Sequence, residues 1–188
     1  MGGVDKLLQP VDGQPLLRMV AERACAASAL VAVSLRSEDR ARRAALDGLL
    51  DVTLLDVPDA ASGMAASLRA GAAWALRQPV QALMIALPDM PDITALDMRA
   101  LIAAQRDTPA RPLRATTATG VAGHPVIVPQ TLLKGLLDLS GDEGARAVLR
   151  RNPPRLLALA DDRALIDLDT QADWAVWRAR RADLSEGD

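Results

Sequence analysis

At 188 residues and 19.9 kDa the chain has the size of one ordinary domain, and its half-apolar, quarter-charged composition is that of a sequence able to fold around a sizeable core. Twenty-two basic against 24 acidic residues leave a net charge of −2, and three tryptophans with no Phe or Tyr offer no stacking platform, which excludes a general nucleic-acid binder. One cysteine, Cys25, forms no internal disulfide, no apolar run approaches the ~18 residues of a membrane helix, and Met1 to Lys6 do not resemble a signal peptide, so a reducing, cytoplasmic setting is expected.

In chain order, Pro15 to Ala27 places Leu16, Leu17, Val20 and Ala24 on one helical face, with the proline suited to a first turn. Ala29 to Leu35 reads as a strand, and Ser37-Glu38-Asp39-Arg40 opens a charged helix to about Leu49. Val52 to Leu55 (strand), Met64 to Leu76 (helix) and Ala82 to Leu87 (a buried strand stopped by Pro88) follow, then a helix from Ala95 to Gln105. Beyond it lie candidate strands at 113–117, 125–128, 155–159 and 164–168, with helices near 131–138, 143–150 and 171–181. Apolar strands separated by helices predict one α/β domain over residues 1–188 with a largely parallel sheet. Such a domain ordinarily opens on a strand leading into its ligand loop, whereas here the first residues read as that loop itself.

Asp89, between Pro88 and Pro91, is expected at the carboxyl end of the most apolar strand. There it either helps hold a hard divalent cation such as Mg²⁺ or caps the following helix. Asp169 ends another candidate strand, and either it or Thr170 serves as a helix cap; two strand-end aspartates together suit a cation that bridges phosphates. Lys6, with Gly2, Gly3 and Asp5, has the make-up of a phosphate-facing turn or of plain solvated surface. Gly63 to Gly71 opens a helix after Ser62, whose free amides, with the Ser62 and Ser67 hydroxyls, suit either an anion or an ordinary tight helix entry. His124 is the single histidine, more often structural than catalytic in such a place. Asp142 is a candidate helix cap, with Arg146 one turn inside, facing solvent or a substrate phosphate.

Taken in order, Gly3 to Leu8, Asp12 to Arg18, Ser62 to Gly71, Ala86-Leu87-Pro88-Asp89-Met90-Pro91, Gly123-His124-Pro125-Val126, Gly141 to Arg146 and Asp167 to Trp174 resemble the MobA-like nucleotidyltransferases, nearest to the branch that cytidylylates the molybdenum cofactor. The resemblance implies a Rossmann-like three-layer fold. It also implies Mg²⁺-dependent transfer of CMP or GMP from CTP or GTP to the phosphate of molybdopterin, with pyrophosphate released and a molybdoenzyme as a downstream partner. Position by position, Lys6 matches the triphosphate-binding lysine and, with Asp89, the catalytic pair. Asp89 and Asp169 match the metal-associated acids. Gly2, Gly3, Lys6, Gly63, Met64, Ser67 and Leu68 match the nucleotide-binding segments, and His124, Asp142 and Arg146 are candidates for the acceptor. The family pattern begins with a strand and a glycine turn carrying Ser and Arg ahead of the point where these residues start, so the first central strand is expected to be missing from them. Its loss predicts unpaired backbone on both neighbouring strands and a gap in the core.

Overall fold

The computed structural model describes residues 5–185. Gly2 and Gly3, expected at the nucleotide, therefore lie outside the described residues. A 3-10 turn at Lys6–Leu8 leads into a two-residue ladder, β1 (Pro10–Val11) with β2 (Gln14–Pro15), closed by Asp12 and Gly13 at positive φ. Pro15 belongs to β2 and precedes helix α1 (Leu16–Ala27) rather than opening it.

Strands β3 (Val31–Leu35) and β4 (Val52–Asp56) pair in parallel across a short helix, α2 (Arg40–Ala45), followed by turns where a longer helix was expected. Helix α3 (Met64–Ala75) leads to β5 (Ala82–Ile85), and α4 (Ala95–Asp107) to β6 (Leu113–Thr116) and β7 (Ala122–Pro129). Short helices α5 (Lys134–Leu137) and α6 (Arg146–Arg151), strand β8 (Arg155–Ala158) and helix α7 (Gln171–Ser185) complete the described chain.

The second sheet has the order β5-β7-β6-β8, with β6 and β8 parallel and β7 antiparallel to both its neighbours. The fold is α/β as expected, with parallel pairs in both sheets and one antiparallel strand within the larger one. β7 alternates with period two: Val126 and Val128 pack with Ala65, Leu68 and Trp74 of α3, while Ile127 packs with Met98 and Leu101 of α4. The larger sheet is thus sandwiched between helices. A third cluster joins Leu16, Leu17 and Val20 of α1 to Leu7, Leu35, Leu168 and the two tryptophans of α7, Trp174 and Trp177.

Residues 164–168, expected as a strand, form turns and irregular chain. They follow Asp161, which turns the chain at a φ of 52°, and are held by single bonds. His124 donates its backbone N–H to the Ala164 carbonyl at 2.9 Å, and Leu168 donates its own to the Asp89 carbonyl at 3.0 Å. The apolar character of the run arises because Ala164 and Leu168 each fill a different core cluster.

Among the described residues, β3 has no strand on the side away from β4, and β5 has none on the side away from β7. The run expected to be a buried strand is accordingly only half-buried along all of β5, and β3 is half-buried over its first four residues.

Candidate functional site

The approach to the site is set by Asp5. Its carboxylate accepts the Leu7 backbone N–H at 3.0 Å, capping the 3-10 turn, and a bond from the Arg42 Nε of α2 at 2.7 Å. With Leu7 buried in the α1/α7 cluster, Lys6 is left pointing the other way. Its Nζ donates to Asp89 Oδ2 at 2.6 Å and to Asp169 Oδ1 at 2.5 Å. Two acids 80 residues apart in sequence therefore face one point, with their oxygens no farther apart than those two bonds together allow.

Each acid is free for this because a neighbour does the capping. Helix α4 is capped by a reciprocal Thr94–Asp97 pair, so Asp89 is not its cap. Thr170 accepts the Asp173 N–H and returns its own N–H to the Asp173 carboxylate, so Thr170 and not Asp169 closes the start of α7. The loop carrying Asp89 is clamped from α1 by Arg23, whose Nη1 donates to the carbonyls of Pro91 at 2.5 Å and Ile93 at 3.0 Å. The Trp177 Nε1 donates to Asp92 at 2.8 Å from α7.

The site is acidic overall. Burial works against the Lys6 ammonium, but its bonds to Asp169 and Asp89 outweigh this and hold its pKa above the usual lysine value. Burial and the negative charges of Asp169 and Asp89 push the Asp167 carboxyl up. Asp89 Oδ1 is buried without a hydrogen-bond partner. Two carboxylates on one ammonium, with the charge of Asp167 nearby and an unpartnered buried oxygen on Asp89, suit a further positive charge. Among the described residues no set of three or more His, Cys, Asp or Glu side chains is arranged to hold a metal; a hard cation placed here could take two carboxylates, with water or phosphate supplying its other ligands.

A cleft of about 860 Å³ opens beside the acids. It is lined by Met64, Ser67 and Leu68 of α3 and by His124 and Arg146, among others. Lys6, Asp89 and Asp169 lie outside its lining, although Pro88, next to Asp89, is part of it. Gly63 takes a φ of 116° and packs so closely on Gly141 and Asp142 that a Cβ there would overlap them. The Gly141 carbonyl accepts the Ala65 N–H at 3.1 Å, so one amide of the α3 start is engaged within the protein rather than free for a ligand.

Asp142 does not cap a helix. α6 begins only at Arg146, and Ser140 with Glu143 forms the local cap-like turn, Ser140 donating its N–H to Glu143 at 2.9 Å. His124, which precedes a cis Pro125, has its Nδ1 buried and unpartnered, and burial holds its pKa below the usual histidine value.

The sequence reading missed Arg114. This half-buried β6 residue lines the same cleft, donates to the carbonyls of Gly123 at 2.8 Å and Ala122 at 3.3 Å, and has its pKa lowered by burial and by the positive charge of Arg146. Its signal was a lone charge inside the apolar run Leu113-Arg114-Ala115.

No curated protein matches the chain by sequence. Among solved structures it is similar to Rv0371c from Mycobacterium tuberculosis H37Rv, at 27% identity and a TM-score of 0.78, covering 93% of this chain and 89% of that one. A second structure of Rv0371c, in complex with manganese, matches at 28% identity and a TM-score of 0.72 over 91% and 89% of the two chains. Molybdopterin-guanine dinucleotide biosynthesis protein A from Archaeoglobus fulgidus shares the fold at 15% identity and a TM-score of 0.67, over 96% and 92%. The family described as MobA-like NTP transferase domain matches residues 1–157. With Lys6, Asp89 and the Met64–Leu68 segment all inside that span, the chain belongs to the MobA-like NTP transferase family and is a nucleotidyltransferase.

Proposed function

We propose that this nucleotidyltransferase moves CMP, or GMP, from CTP or GTP to the phosphate of molybdopterin, with Mg²⁺ as the metal. The observation that carries the reading is the convergence of Asp89 and Asp169 on the Lys6 ammonium. A manganese complex of the similar Rv0371c and the fold shared with a molybdopterin-guanine dinucleotide biosynthesis protein support it.

In this reading an acceptor phosphate oxygen attacks the α-phosphorus, the bond to the β-phosphate oxygen breaks, and pyrophosphate leaves. Such a step needs positioning and charge neutralisation more than a proton-transfer base, and Lys6 supplies a point charge beside the leaving phosphates. Asp89 and Asp169 would hold Mg²⁺, which when bound would offset phosphate charge. Met64, Ser67 and Leu68 line the nucleotide side, and Gly63 sets the entry to their helix. His124 and Arg146, joined by Arg114, form the acceptor side, while Asp142 acts through Gly63 by shaping the entry to α3. The free thiol of Cys25 fits a reducing cytoplasm.

Mixing the protein with CTP, Mg²⁺ and molybdopterin is expected to release pyrophosphate, and Asp89→Ala to lower that rate by about 10²- to 10³-fold, the scale of losing one preorganised electrostatic group. Undiminished turnover in Asp89→Ala removes the metal assignment. A different small phosphate acceptor reveals itself by pyrophosphate release when molybdopterin is replaced. The edges of β3 and β5, without a strand partner among the described residues, favour a second reading, a nucleotide- or cofactor-binding protein that assists molybdoenzyme maturation; CTP binding without pyrophosphate release identifies it.

A further inference from the structure

Helix α7 reaches the acidic site twice. At its start Thr170 and Asp173 bond each other reciprocally, and Asp169 is the residue just before that cap. Farther along, Trp177 and Arg180, three residues apart and so on one helical face, both reach Asp92. The Trp177 Nε1 donates to its Oδ1 at 2.8 Å, and the Arg180 Nη2 donates to its Oδ2. Asp92 lies three residues past Asp89, in a stretch stiffened by Pro88 and Pro91. From the other side the Leu168 N–H, next to Asp169, donates to the Asp89 carbonyl at 3.0 Å.

These links close a ring. It runs from Asp89 along the loop to Asp92, across to Trp177, back along α7 to its cap, and through Asp169 and Leu168 to Asp89 again. With a helix as one side, the ring holds the two acids at a set separation. Burial of the indole does not by itself account for the grip on Asp92, because the neighbouring Trp174, buried in the same cluster, leaves its own Nε1 without a partner. We propose that Asp92, Trp177 and Arg180 are positioning residues for the acidic site: by gripping the Asp89 loop they make α7 the strut that fixes how far Asp89 stands from Asp169, and thereby how tightly the two carboxylates hold a divalent cation. Their role rests on the metal reading of the two acids given above.

The test follows two quantities, the affinity for Mn²⁺, read from the electron-spin resonance of the free ion, and the exchange rate of the Leu168 amide in metal-free protein. Both are measured in the parent chain, in Asp92→Ala, in Trp177→Phe and in a control, Arg178→Met. Arg178 lies on the same helix, stacks on Trp174 at 4.8 Å and reaches Gln9, so its loss loosens α7 without cutting a bond to the Asp89 loop. Asp92→Ala and Trp177→Phe are each expected to weaken Mn²⁺ binding by about 10- to 100-fold, the scale of losing a group that orients a metal ligand, and the control to leave it unchanged. The Leu168 amide is expected to exchange about 10-fold faster in the first two variants alone. Parent-like affinity and exchange in Asp92→Ala overturn the proposal and leave the metal reading standing. Equal losses in Arg178→Met overturn it too, since any loosening of α7 would then suffice. A parent chain that binds no Mn²⁺ sinks the metal reading, and this proposal with it. Should Asp92→Ala fail to fold, Trp177→Phe, which keeps an aromatic ring in the cluster and removes only the N–H donor, decides by the same outcomes.

Discussion

Asp5 carries the turn that aims Lys6, and its protonation state governs that turn. Burial alone would raise its pKa, but the Arg42 guanidinium and the Leu7 amide outweigh this and hold it below the usual carboxylate range. A carboxyl with a depressed folded pKa adds stability that is complete above its unfolded value and is lost as pH falls through the folded one. The melting temperature is therefore expected to drop on acidification below about pH 4, and Asp5→Asn to reduce that dependence. The same decline in the variant as in the parent protein would exclude the Asp5–Arg42 pair as its source. At this scale Lys6 and Asp89 could be picked out from their neighbours in sequence, but Asp169 could not be told from Thr170, because either residue type caps a helix. Asp173 settles the choice by pairing with Thr170.

At the scale of elements, the segment 161–170 brings Asp169 to the site without forming a strand, so its position depends on whatever it rests against. Gly123 is that support. A Cβ at this position would overlap the Ala164 carbonyl and also approach its methyl group. Gly123→Ala is expected to cost about 1–3 kcal/mol, the scale of overpacking, and to weaken metal-dependent activity by shifting Asp169. Thermal unfolding together with a metal titration checks both; a variant that matches the parent in each would mean the segment is positioned by other contacts. Helices with a strong 3.6-residue period were legible in the sequence, α1 and α3 to within one residue of their ends. The 164–168 run differs from the expected strand because a short apolar run reports burial, which a chain crossing between two clusters satisfies without a ladder partner.

Over the whole molecule the core is divided among three apolar clusters, and α7 contributes its two tryptophans to the one built around α1. Trp174 is fully buried against α1, with Trp177 edge-on to it at 5.9 Å between ring centroids. Trp174→Ala is expected to destabilise the fold by about 3–5 kcal/mol, measured by denaturant unfolding, and a loss under 1 kcal/mol would show α7 to be peripheral. The alternation of strands and helices made the layered architecture readable in advance. The antiparallel insertion of β7 between β5 and β6 was not, because strand order is decided by pairing between distant residues that no local pattern records.

The absence of Phe and Tyr leaves tryptophan as the sole aromatic residue, and Trp74 of α3 lines the slot between the two sheets. The other two indoles sit together in α7, close to the loop that holds Asp92. The protein therefore carries its own optical reporters. Ultraviolet emission from Trp74 tracks hydration of the space between the sheets, and emission from the α7 pair tracks the acidic end, so replacing one set with Phe reads each place separately.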